Sequence, residues 1–481
     1  MIRLLIVCFA FLGMGILLNA QTQVLSPEDL QTDIAYLQKA LYKSHPSIFR
    51  YSDRQSMNRQ FEALQQLAQS PMSMVEFEYQ IRKLLCQVGC IHTTPSRKVK
   101  RRKKTKGEKK PVYFLPYGFY TDGEALWISR KLNDSLPDLN GFQVLSIEGQ
   151  SDTAILNQLL QHQSADGYNQ TFAQRLLNYR EFFNLLYAKY IQSDKERYKA
   201  ILQGPQGRRF KADLPGIEAI SPPKKEEKEQ VPVWTHQMKN HYFRLDTTAG
   251  YGLIDINAFN PYRFRTLRFY KRSFKKMTAH PDYPLIIDLR DNLGGSIDEA
   301  EKLLSYIMDE PVRYTLEKKK NAIFKYSTLL GKFYLFADFL NRRVFNLRGR
   351  YRNEKGIVLK SKKRDKKRHN FDGQVYVITN GFSASSASFA ASFLKHKAQA
   401  IVIGQESGGG AAGNNGLLYP SIRLPRSRIQ VKMPQYWVNY QLIEDEGRGV
   451  AIDFPVQYEI EDILLERDLE IELILEQIQK N

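Results

Sequence analysis

The sequence predicts a multidomain protein of the α/β class (α+β in its overall arrangement), and three observations support this prediction. The chain has 481 residues, which is enough for about three domains of roughly 150 residues each. Apolar residues recur at helical spacing between residues 26 and 88. From Tyr242 onward, strand-like and helix-like apolar segments alternate, which is typical of a parallel or mixed sheet covered by helices.

The start of the chain has the pattern of a signal peptide. Arg3 precedes an apolar run from Leu4 to Leu18, and the small residue Ala20 follows it. A membrane anchor is the alternative interpretation, but the run is shorter than the about 20 apolar residues that a spanning helix needs. We therefore assign residues 1–20 to a cleaved signal peptide and predict an exported protein, periplasmic or extracellular after cleavage.

Residues 21–96 are predicted to form an N-terminal helical domain. It opens with Ser26 and Pro27, which suit a helix N-terminus, and it ends in the segment "LLCQVGCIHT", which carries His92. We interpret Cys86 and Cys90 in that segment as small buried residues and not as a disulfide framework. The histidines form no cluster and no metal-ligand spacing accompanies the cysteines, so the sequence predicts no metal and no organic cofactor.

Two basic runs account for most of the formal net charge of +20. Residues Arg97 to Lys110 carry ten positive charges and one glutamate, and Lys360 to Arg368 carry seven positive charges and one aspartate. Runs of this kind are usually solvated loops, and they could contact an anionic envelope surface. No aromatic residues alternate with the basic ones, so nucleic acid is not expected as a partner.

Two further domains follow the basic loop at residues 97–111. Residues 112–235 contain short strands with Gly and Asp turns, then the helical segments "SDTAILNQLLQH" and "RLLNYREFFNLLYAKYIQS". The Pro-, Lys- and Glu-rich stretch from Ser221 to Pro232 is typical of a linker. Residues 236–481 carry the alternating strands and helices, and their basic region near 312–370 is interpreted as an inserted lid or arm.

The segment "NGFSASSASFAAS" (Asn380 to Ser392) places several serines between a buried strand and a helix. A serine nucleophile at such a corner has helix N–H groups nearby to stabilise a developing negative charge. On local sequence alone, Ser383 could equally cap the helix while the other serines pack. Gly294 and Gly295 follow another buried strand, where paired glycines let the backbone approach a ligand.

Several segments together resemble the tail-specific (C-terminal processing) serine peptidases, in particular their tricorn-core-like branch. They are "PLIIDLRDNLGGS", "GQVYVITNGFSASSASFAASFL", "IVIGQESGGG" and "GVAIDFPVQYEIEDILLERDLEIELIL". The resemblance covers roughly residues 240–481 and extends loosely to residues 26–96. It implies a crotonase/Clp-protease-like ββα catalytic domain preceded by a PDZ-like module. It also implies a serine endopeptidase with protein or peptide substrates, including the C-termini of unfolded proteins. Together with the signal-peptide pattern, this predicts an exported serine peptidase.

The resemblance also implies roles for individual residues. Ser385 aligns with the nucleophile, and the N–H groups of Ser386 and of Gly294 or Gly295 align with the oxyanion hole. The lysine of the family's glycine loop is replaced by glycine in this sequence, so His92 is expected to act as the base, as in the tricorn-like relatives.

The acidic member of the charge relay aligns with Glu446, and Glu444 is the close competitor. Two positions depart from the family pattern: Ser388 stands where the family has a glutamate, and Cys90 stands where the "DGHT" turn has an aspartate. A catalytically weak or inactive protein that binds peptide or lipid on the same scaffold is therefore the alternative function.

Overall fold

The computed structural model describes residues 24–96, 112–218, 234–238, 240–260, 263–318, 322–344, 350–353, 356–360 and 369–480. The predictions on the signal peptide, the first basic run, the linker and residues 361–368 of the second basic run lie outside these residues. The described part confirms the α/β class, with several separate sheets covered by helices.

The bounds of the helices are Pro27–Ser44 (α1), Arg54–Leu67 (α2), Met74–Cys86 (α3), Asp152–Leu160 (α4), Thr171–Leu177 (α5), Phe182–Tyr190 (α6), Arg263–Met277 (α7), Ile297–Leu304 (α8), Ala322–Tyr326 (α9), Leu329–Val344 (α10), Ser386–Ala398 (α11), Ile460–Leu464 (α12) and Leu469–Lys480 (α13).

The bounds of the strands are Val24–Leu25 (β1), Met72–Ser73 (β2), Pro95–Ser96 (β3), Tyr117–Thr121 (β4), Leu126–Lys131 (β5), Gln143–Ile147 (β6), Gln150–Ser151 (β7), Arg197–Gln203 (β8), Arg209–Pro215 (β9), Trp234–Met238 (β10), His241–Asp246 (β11), Tyr251–Ile256 (β12), Leu285–Asp288 (β13), Arg313–Glu317 (β14), Arg350–Asn353 (β15), Gly356–Lys360 (β16), Val375–Thr379 (β17), Ile401–Gly404 (β18), Gly413–Gly416 (β19), Ser421–Arg423 (β20), Gln430–Lys432 (β21), Tyr436–Asn439 (β22) and Phe454–Pro455 (β23).

The N-terminal helices α1 to α3 share a core with the C-terminal half of the chain. Each begins at a side-chain cap, supplied by Ser26, Asp53 and Ser73 respectively. Their buried apolar faces pack together and against Ile422 and Val431, and β3 pairs with β21. The helices that carry the His92 turn are therefore held against the catalytic half by a common hydrophobic core.

The region between residues 112 and 218 forms a sheet of strand order β4-β5-β6-β8-β9, with β7 paired to β6 and helices α4 to α6 packed on it. The sequence predicts one continuous helix over "RLLNYREFFNLLYAKYIQS", and this prediction is wrong. Arg180 adopts a φ of 53°, which ends α5 and restarts the chain as α6. A left-handed residue cannot continue a right-handed helix. The PDZ-like identity of this region stays a prediction.

A seven-stranded mixed sheet of order β10-β11-β12-β13-β17-β18-β23 organises the C-terminal half. Strands β12, β13, β17, β18 and β23 run parallel to their neighbours in this series, as the alternating sequence pattern predicts. One face packs against α7, α8 and α11, and the other against α13. Because the parallel strands end at one edge of the sheet, the loops after β13, β17 and β18 lie together there.

The segment near 312–370, interpreted from sequence as a lid or arm, contributes to a sheet in its described part. Strand β14 pairs with β16 on one side and with β22 on the other, within a five-stranded antiparallel sheet. Helix α10 follows with several exposed apolar side chains, including Leu329 and Phe333. Within the described ranges, none of the helices combines the length and the apolar character needed to cross a bilayer.

Candidate active site

Ser385 occupies the corner between β17 and α11, and its backbone is strained there. Its φ and ψ are 56° and −117°, and such a conformation costs a non-glycine residue about 1–3 kcal/mol. Ser385 is the N-cap residue of α11, yet its hydroxyl makes no capping hydrogen bond to the helix. An uncapped hydroxyl at a strained strand–turn–helix corner is typical of a nucleophilic serine.

The alternative role that the sequence leaves open, Ser383 as the cap of the helix, is not what the structure shows. The Ser383 hydroxyl donates to the Leu289 carbonyl oxygen at 2.8 Å. It also accepts from the backbone N–H of Asn380 at 3.0 Å. Ser383 therefore joins the loop after β13 to the loop after β17, and it leaves the helix N-terminus free.

The predicted glycine pair lies directly against this corner. A Cβ on Gly294 would lie 2.7 Å from Ser385 Cβ and 2.8 Å from the Ser386 nitrogen, so only glycine allows this approach. The N–H of Gly294 donates to Asn292 Oδ1 at 2.9 Å. Among the described residues, the N–H of Gly295 has no acceptor. Of the two predicted oxyanion donors, Gly295 is therefore the one whose N–H is available.

Asn292 positions this glycine loop. Its side chain is fully buried, and its Nδ2 donates to the Ile256 carbonyl oxygen at 2.7 Å. Its own carbonyl oxygen accepts the N–H of Ala384 at 3.0 Å. The loop is thus tied both to the end of β12 and to the residue before Ser385.

The glycine-rich segment after β18 closes the other side of the corner. The N–H of Gly409 donates to the Ser383 carbonyl oxygen at 3.1 Å. A Cβ on Gly409 would lie 2.8 Å from the Ser385 nitrogen. The glycines of this segment therefore serve close backbone packing around Ser385.

Tyr419 connects the predicted nucleophile with the predicted base. The Ser385 side chain is near enough to the Tyr419 hydroxyl to lower its pKa, but burial dominates and raises the pKa of Tyr419 well above its usual value. Its ring stacks on His92, with the ring centroids 4.7 Å apart and the planes 12° apart. Within the part of the chain that is described, no hydrogen bond joins Ser385 directly to His92. The structure brings both residues to one tyrosine side chain.

His92 is neutral and partly enclosed on the turn after α3. Its Nδ1 is shielded from solvent and has no hydrogen-bond partner. Burial and the nearby positive charge of Lys432 lower the pKa of His92 to about 3. The imidazole is therefore uncharged at physiological pH, and its Nδ1 is unpaired among the described residues. The same lowered pKa makes this resting imidazole a weaker base than an ordinary histidine.

A carboxylate that the sequence analysis missed lies beside His92. A ring nitrogen of His92, Sγ of Cys90 and a carboxylate oxygen of Asp166 all lie within 4.8 Å of one another. Asp166 Oδ1 accepts the N–H of Ile91 at 3.0 Å, while its Oδ2 has no partner. Burial, with a smaller contribution from the charge of Asp445, raises the pKa of Asp166 to about 7. Asp166 thus places a carboxyl group next to Cys90, where the family pattern has an aspartate.

The structure does not bring Glu446 or Glu444 into contact with His92 or Ser385. Both side chains are exposed and line a surface cleft of about 450 Å³. Asp445, between them, points inward instead. It accepts from the Tyr51 hydroxyl at 3.0 Å and forms an ion pair with Arg50 at 3.1 Å. Of the three carboxylates in this loop, Asp445 is the one whose charge acts on Asp166.

Three residues near the nucleophile and the base were not found from the sequence: Asn292, Tyr419 and Asp166. Asn292 stands two residues before the glycine pair in "RDNLGGS", and a polar side chain directly after a buried strand could have drawn attention to it. Tyr419 and Asp166 lie in loops far from the other site residues along the chain and carry no local signal.

The model of peptidase family S41 matches residues 250–456 of the chain. This part of the chain is a peptidase family S41 domain. The S41 match confirms the family resemblance, and it assigns the chain to the serine-type peptidases. The S41 domain spans β12 to β23 and therefore contains Ser385 and both glycines, whereas His92 and Asp166 lie before it.

Solved structures with the same overall fold include that of mature CPAF complexed with lactacystin, at 13% sequence identity and a TM-score of 0.63. That match covers 94% of this chain and 98% of the CPAF chain. A second structure of mature CPAF matches at 14% identity with a TM-score of 0.62, covering 94% of this chain and 97% of the other. The curated protein sequences contain no match to this chain.

Proposed function

We propose that this S41 peptidase hydrolyses peptide bonds with Ser385 as the nucleophile and His92 as the general base. The observation that supports this most strongly is the strained, uncapped backbone of Ser385, with Gly294 packed against its Cβ. Ser385 Oγ attacks the scissile carbonyl, and His92 takes the hydroxyl proton and returns it to the leaving amine. In the described structure His92 stacks on Tyr419 and makes no hydrogen bond to Ser385, so the imidazole turns toward the Ser385 hydroxyl during the reaction.

The proposed oxyanion hole consists of the backbone N–H groups of Ser386 and Gly295. Ser386 is the first residue of α11, so its N–H is one of the helix donors without an intrahelical acceptor. The Ser386 hydroxyl donates to the Gly295 carbonyl oxygen at 2.9 Å, which fixes the two residues relative to each other. Two donors fixed in advance stabilise the tetrahedral intermediate without reorganising at the moment of reaction.

The acidic member of the relay is proposed from the loop at residues 444–446. Glu446 is the member that the family resemblance implies, with Glu444 as its competitor. Asp445 is a third possibility, because it alone of these carboxylates faces the interior. Asp166 is the other carboxyl group near His92, and it holds the His92 turn through the N–H of Ile91.

The experiment that tests the proposal is labelling of the purified protein by a fluorophosphonate. We expect wild type to be labelled and Ser385→Ala to give no label, because the attacking oxygen is absent. His92→Ala is expected to be labelled about 10²–10⁴-fold more slowly, the usual contribution of a general base. Ser392→Ala is the matched control, because Ser392 lies on the same helix and bonds only to the Ala411 carbonyl oxygen.

A catalytically inactive binding protein on the same scaffold is the second candidate. It is favoured by the lack of a direct bond between Ser385 and His92 in the described structure and by Ser388 in place of the family glutamate. The Ser388 hydroxyl instead donates to the Ser385 carbonyl oxygen at 2.9 Å. Absence of label in wild type under denaturant-free conditions, together with saturable binding of an unlabelled peptide, would support this second function.

We further propose that the peptidase acts on C-terminal tails of unfolded proteins. The support is the resemblance to tail-specific peptidases and the sheet at residues 117–215, whose edge strands β4 and β9 could accept an extended peptide. The test compares kcat/KM for one unstructured peptide with a free or an amidated C-terminus. A tail-specific enzyme cleaves the free acid faster, and equal rates would restrict the proposal to general peptide hydrolysis.

We also propose that the protein is exported and contacts an anionic envelope lipid surface. The signal-peptide pattern and the two basic runs of the sequence support this. The exposed apolar side chains of Leu329, Phe333 and Phe336 on α10 add an apolar surface, a feature of helices that lie at a membrane interface. Co-sedimentation with anionic but not zwitterionic vesicles, lost on deleting residues 97–110, is expected. Self-association through α10 without vesicle binding would contradict it.

A further inference from the structure

We propose that Cys90, His92 and Asp166 form a binding site for Zn²⁺ that withdraws His92 from catalysis. The three side chains offer a sulfur, an imidazole nitrogen and a carboxylate oxygen, all within 4.8 Å of one another. In a tetrahedral zinc site with bonds of about 2.0–2.3 Å, ligand atoms lie roughly 3.3–3.7 Å apart. Side-chain adjustments of about 1 Å therefore bring these three atoms to zinc geometry.

Unpartnered polar atoms within this cluster point to a missing ligand. Asp166 is 3% exposed, and its Oδ2 has no hydrogen-bond partner. The Nδ1 of His92 is likewise shielded and without a partner. A buried polar atom without a partner costs about 1–3 kcal/mol, and a cation bound by Asp166 Oδ2 or by His92 Nδ1 would give that atom a partner.

The surrounding hydrogen bonds orient the ligands from behind. The Ser47 N–H donates to His45 Nδ1 at 3.2 Å, so His45 carries its proton on Nε2 and donates it to Thr93 Oγ1 at 2.8 Å. The Thr93 hydroxyl then donates to Cys90 Sγ at 3.2 Å. This chain of donors ends on the sulfur and fixes the position of the Cys90 side chain. Burial raises the pKa of the Cys90 thiol to about 12, so a metal ion that binds there must displace its proton.

Asp166 is oriented in the same way. Its Oδ1 accepts the N–H of Ile91 at 3.0 Å, and its Oδ2 has no hydrogen-bond partner among the described residues. The carboxylate of Asp445 acts on Asp166 and favours a cation there, whereas the positive charge of Lys432 opposes a cation at His92. A thiolate, an imidazole and a carboxylate together suit Zn²⁺ better than Mg²⁺ or Ca²⁺, which take oxygen ligands.

Zinc at this position inhibits the peptidase, a consequence that rests on the proposed role of His92. A metal-bound imidazole nitrogen has no lone pair left to accept the Ser385 proton. The stacking of His92 on Tyr419 would also be fixed by the metal, so that the imidazole could not turn to Ser385. His92 is half-exposed, which gives the ion an entry path.

Metal binding is tested first, independently of catalysis, with tag-free full-length protein and Co²⁺ as the spectroscopic probe. Wild type is expected to bind one Co²⁺ with a near-ultraviolet thiolate-to-cobalt charge-transfer band that Zn²⁺ abolishes. Cys86→Ser is the matched control and keeps the band, because Cys86 contacts Ser164 and lies outside the cluster. Cys90→Ser loses the band, and Asp166→Asn weakens binding about 10–100-fold. No band in wild type, or a band retained in Cys90→Ser, would overturn the site.

Inhibition is tested by fluorophosphonate labelling with Zn²⁺ or with a chelator, compared within each variant. We expect Zn²⁺ to slow labelling of wild type and of Cys86→Ser at least tenfold, and the chelator to reverse it. In Cys90→Ser, the labelling rate with Zn²⁺ is expected to be nearly the same as the labelling rate with the chelator. Cobalt binding without any effect on labelling would overturn the inhibitory role. If wild type is never labelled, the proposed peptidase function fails, while the cobalt spectrum still decides the metal site.

Discussion

Ser385 lies on a corner whose neighbours come from the strand ends of one sheet, whereas His92 lies on a turn held by loops from distant parts of the chain. Around Ser385, the loops after β13, β17 and β18 are joined by backbone hydrogen bonds and by Asn292. Around His92, the N–H of Gly167 donates to the Gly89 carbonyl oxygen, and the N–H of Tyr168 donates to the Gly447 carbonyl oxygen. The predicted nucleophile thus lies among loops of one sheet. The predicted base is positioned by contacts between segments that are far apart in the chain.

This difference shows which parts of the catalytic site depend on the fold of the S41 domain alone. The corner around Ser385 is formed by the ends of parallel strands and their glycines, and Thr171 of the 112–218 region packs against Gly381 in the same loop. The base side needs the N-terminal helices and the 112–218 region to be correctly placed, and Arg175 contributes to this through a two-pronged ion pair with Asp291. Substitutions that affect only the Ser385 corner or only the His92 turn test this difference.

The largest effect is expected from Gly294→Ala on the nucleophile side. A Cβ there would lie 2.7 Å from the Ala384 carbonyl oxygen at a φ of 90°. The variant therefore combines left-handed strain of about 1–2 kcal/mol with overpacking of about 1–3 kcal/mol. We expect the fluorophosphonate labelling rate to fall more than 10³-fold.

Gly149→Ala is the control for Gly294→Ala, because Gly149 has a φ of 80° and nothing lies within 4 Å of a Cβ built on it. Gly149→Ala should destabilise the protein by the backbone strain alone and leave the rate of fluorophosphonate labelling unchanged. Equal effects of the two substitutions on labelling would show that the glycine loop does not act at Ser385.

On the base side, Asp166→Ala is expected to destabilise the protein by about 1–3 kcal/mol, because the N–H of Ile91 loses its acceptor in a buried site. Labelling should slow about tenfold as the His92 turn loosens. Asp166→Asn keeps an acceptor oxygen and should retain most of the stability. Urea unfolding and labelling rates measure both effects. A stable Asp166→Ala protein with normal labelling would mean that the turn is held by its other contacts.

His241 is expected to make the stability of the protein depend on pH. It lies in β11, away from Ser385 and His92. It is 1% exposed, neither ring nitrogen has a partner, and burial lowers its pKa to about 4. Between pH 6.5 and 4 the unfolded state binds a proton that the folded state does not, so stability falls with falling pH by about 1.4 kcal/mol per unit. His241→Phe should remove this dependence.

Urea unfolding of wild type and His241→Phe checks this at several pH values. Stability lost between pH 7 and pH 5 should be smaller in the variant by about 2 kcal/mol. Between pH 7 and pH 8, where the histidine is neutral in both states, the difference between the proteins should stay constant. The same slope in both proteins from pH 7 to pH 5 would show that His241 does not contribute to acid lability.

The smallest effect is expected from Glu446→Gln, because Glu446 is exposed and contacts neither Ser385 nor His92. Labelling should change less than about threefold, as is usual for an exposed charge. Asp445→Asn should slow labelling more, because Asp445 bonds to Tyr51 and pairs with Arg50. The comparison of the two rates checks this. A large loss in Glu446→Gln alone would instead identify Glu446 as the acidic member of the relay.

The resemblance to tail-specific peptidases, the alternating strands and helices of the C-terminal half, and the corner at Ser385 with its glycines could all be predicted from the amino-acid sequence. These features depend on short-range patterns: buried strands, glycines where the backbone comes close, and small residues at a helix start. Three contacts could not be predicted in this way: Tyr419 stacks on His92, Asp166 lies beside Cys90, and Asp445 instead of Glu446 turns inward. Such contacts join residues far apart in the chain, and they are set by how separately folded segments dock, which no local pattern of residues encodes.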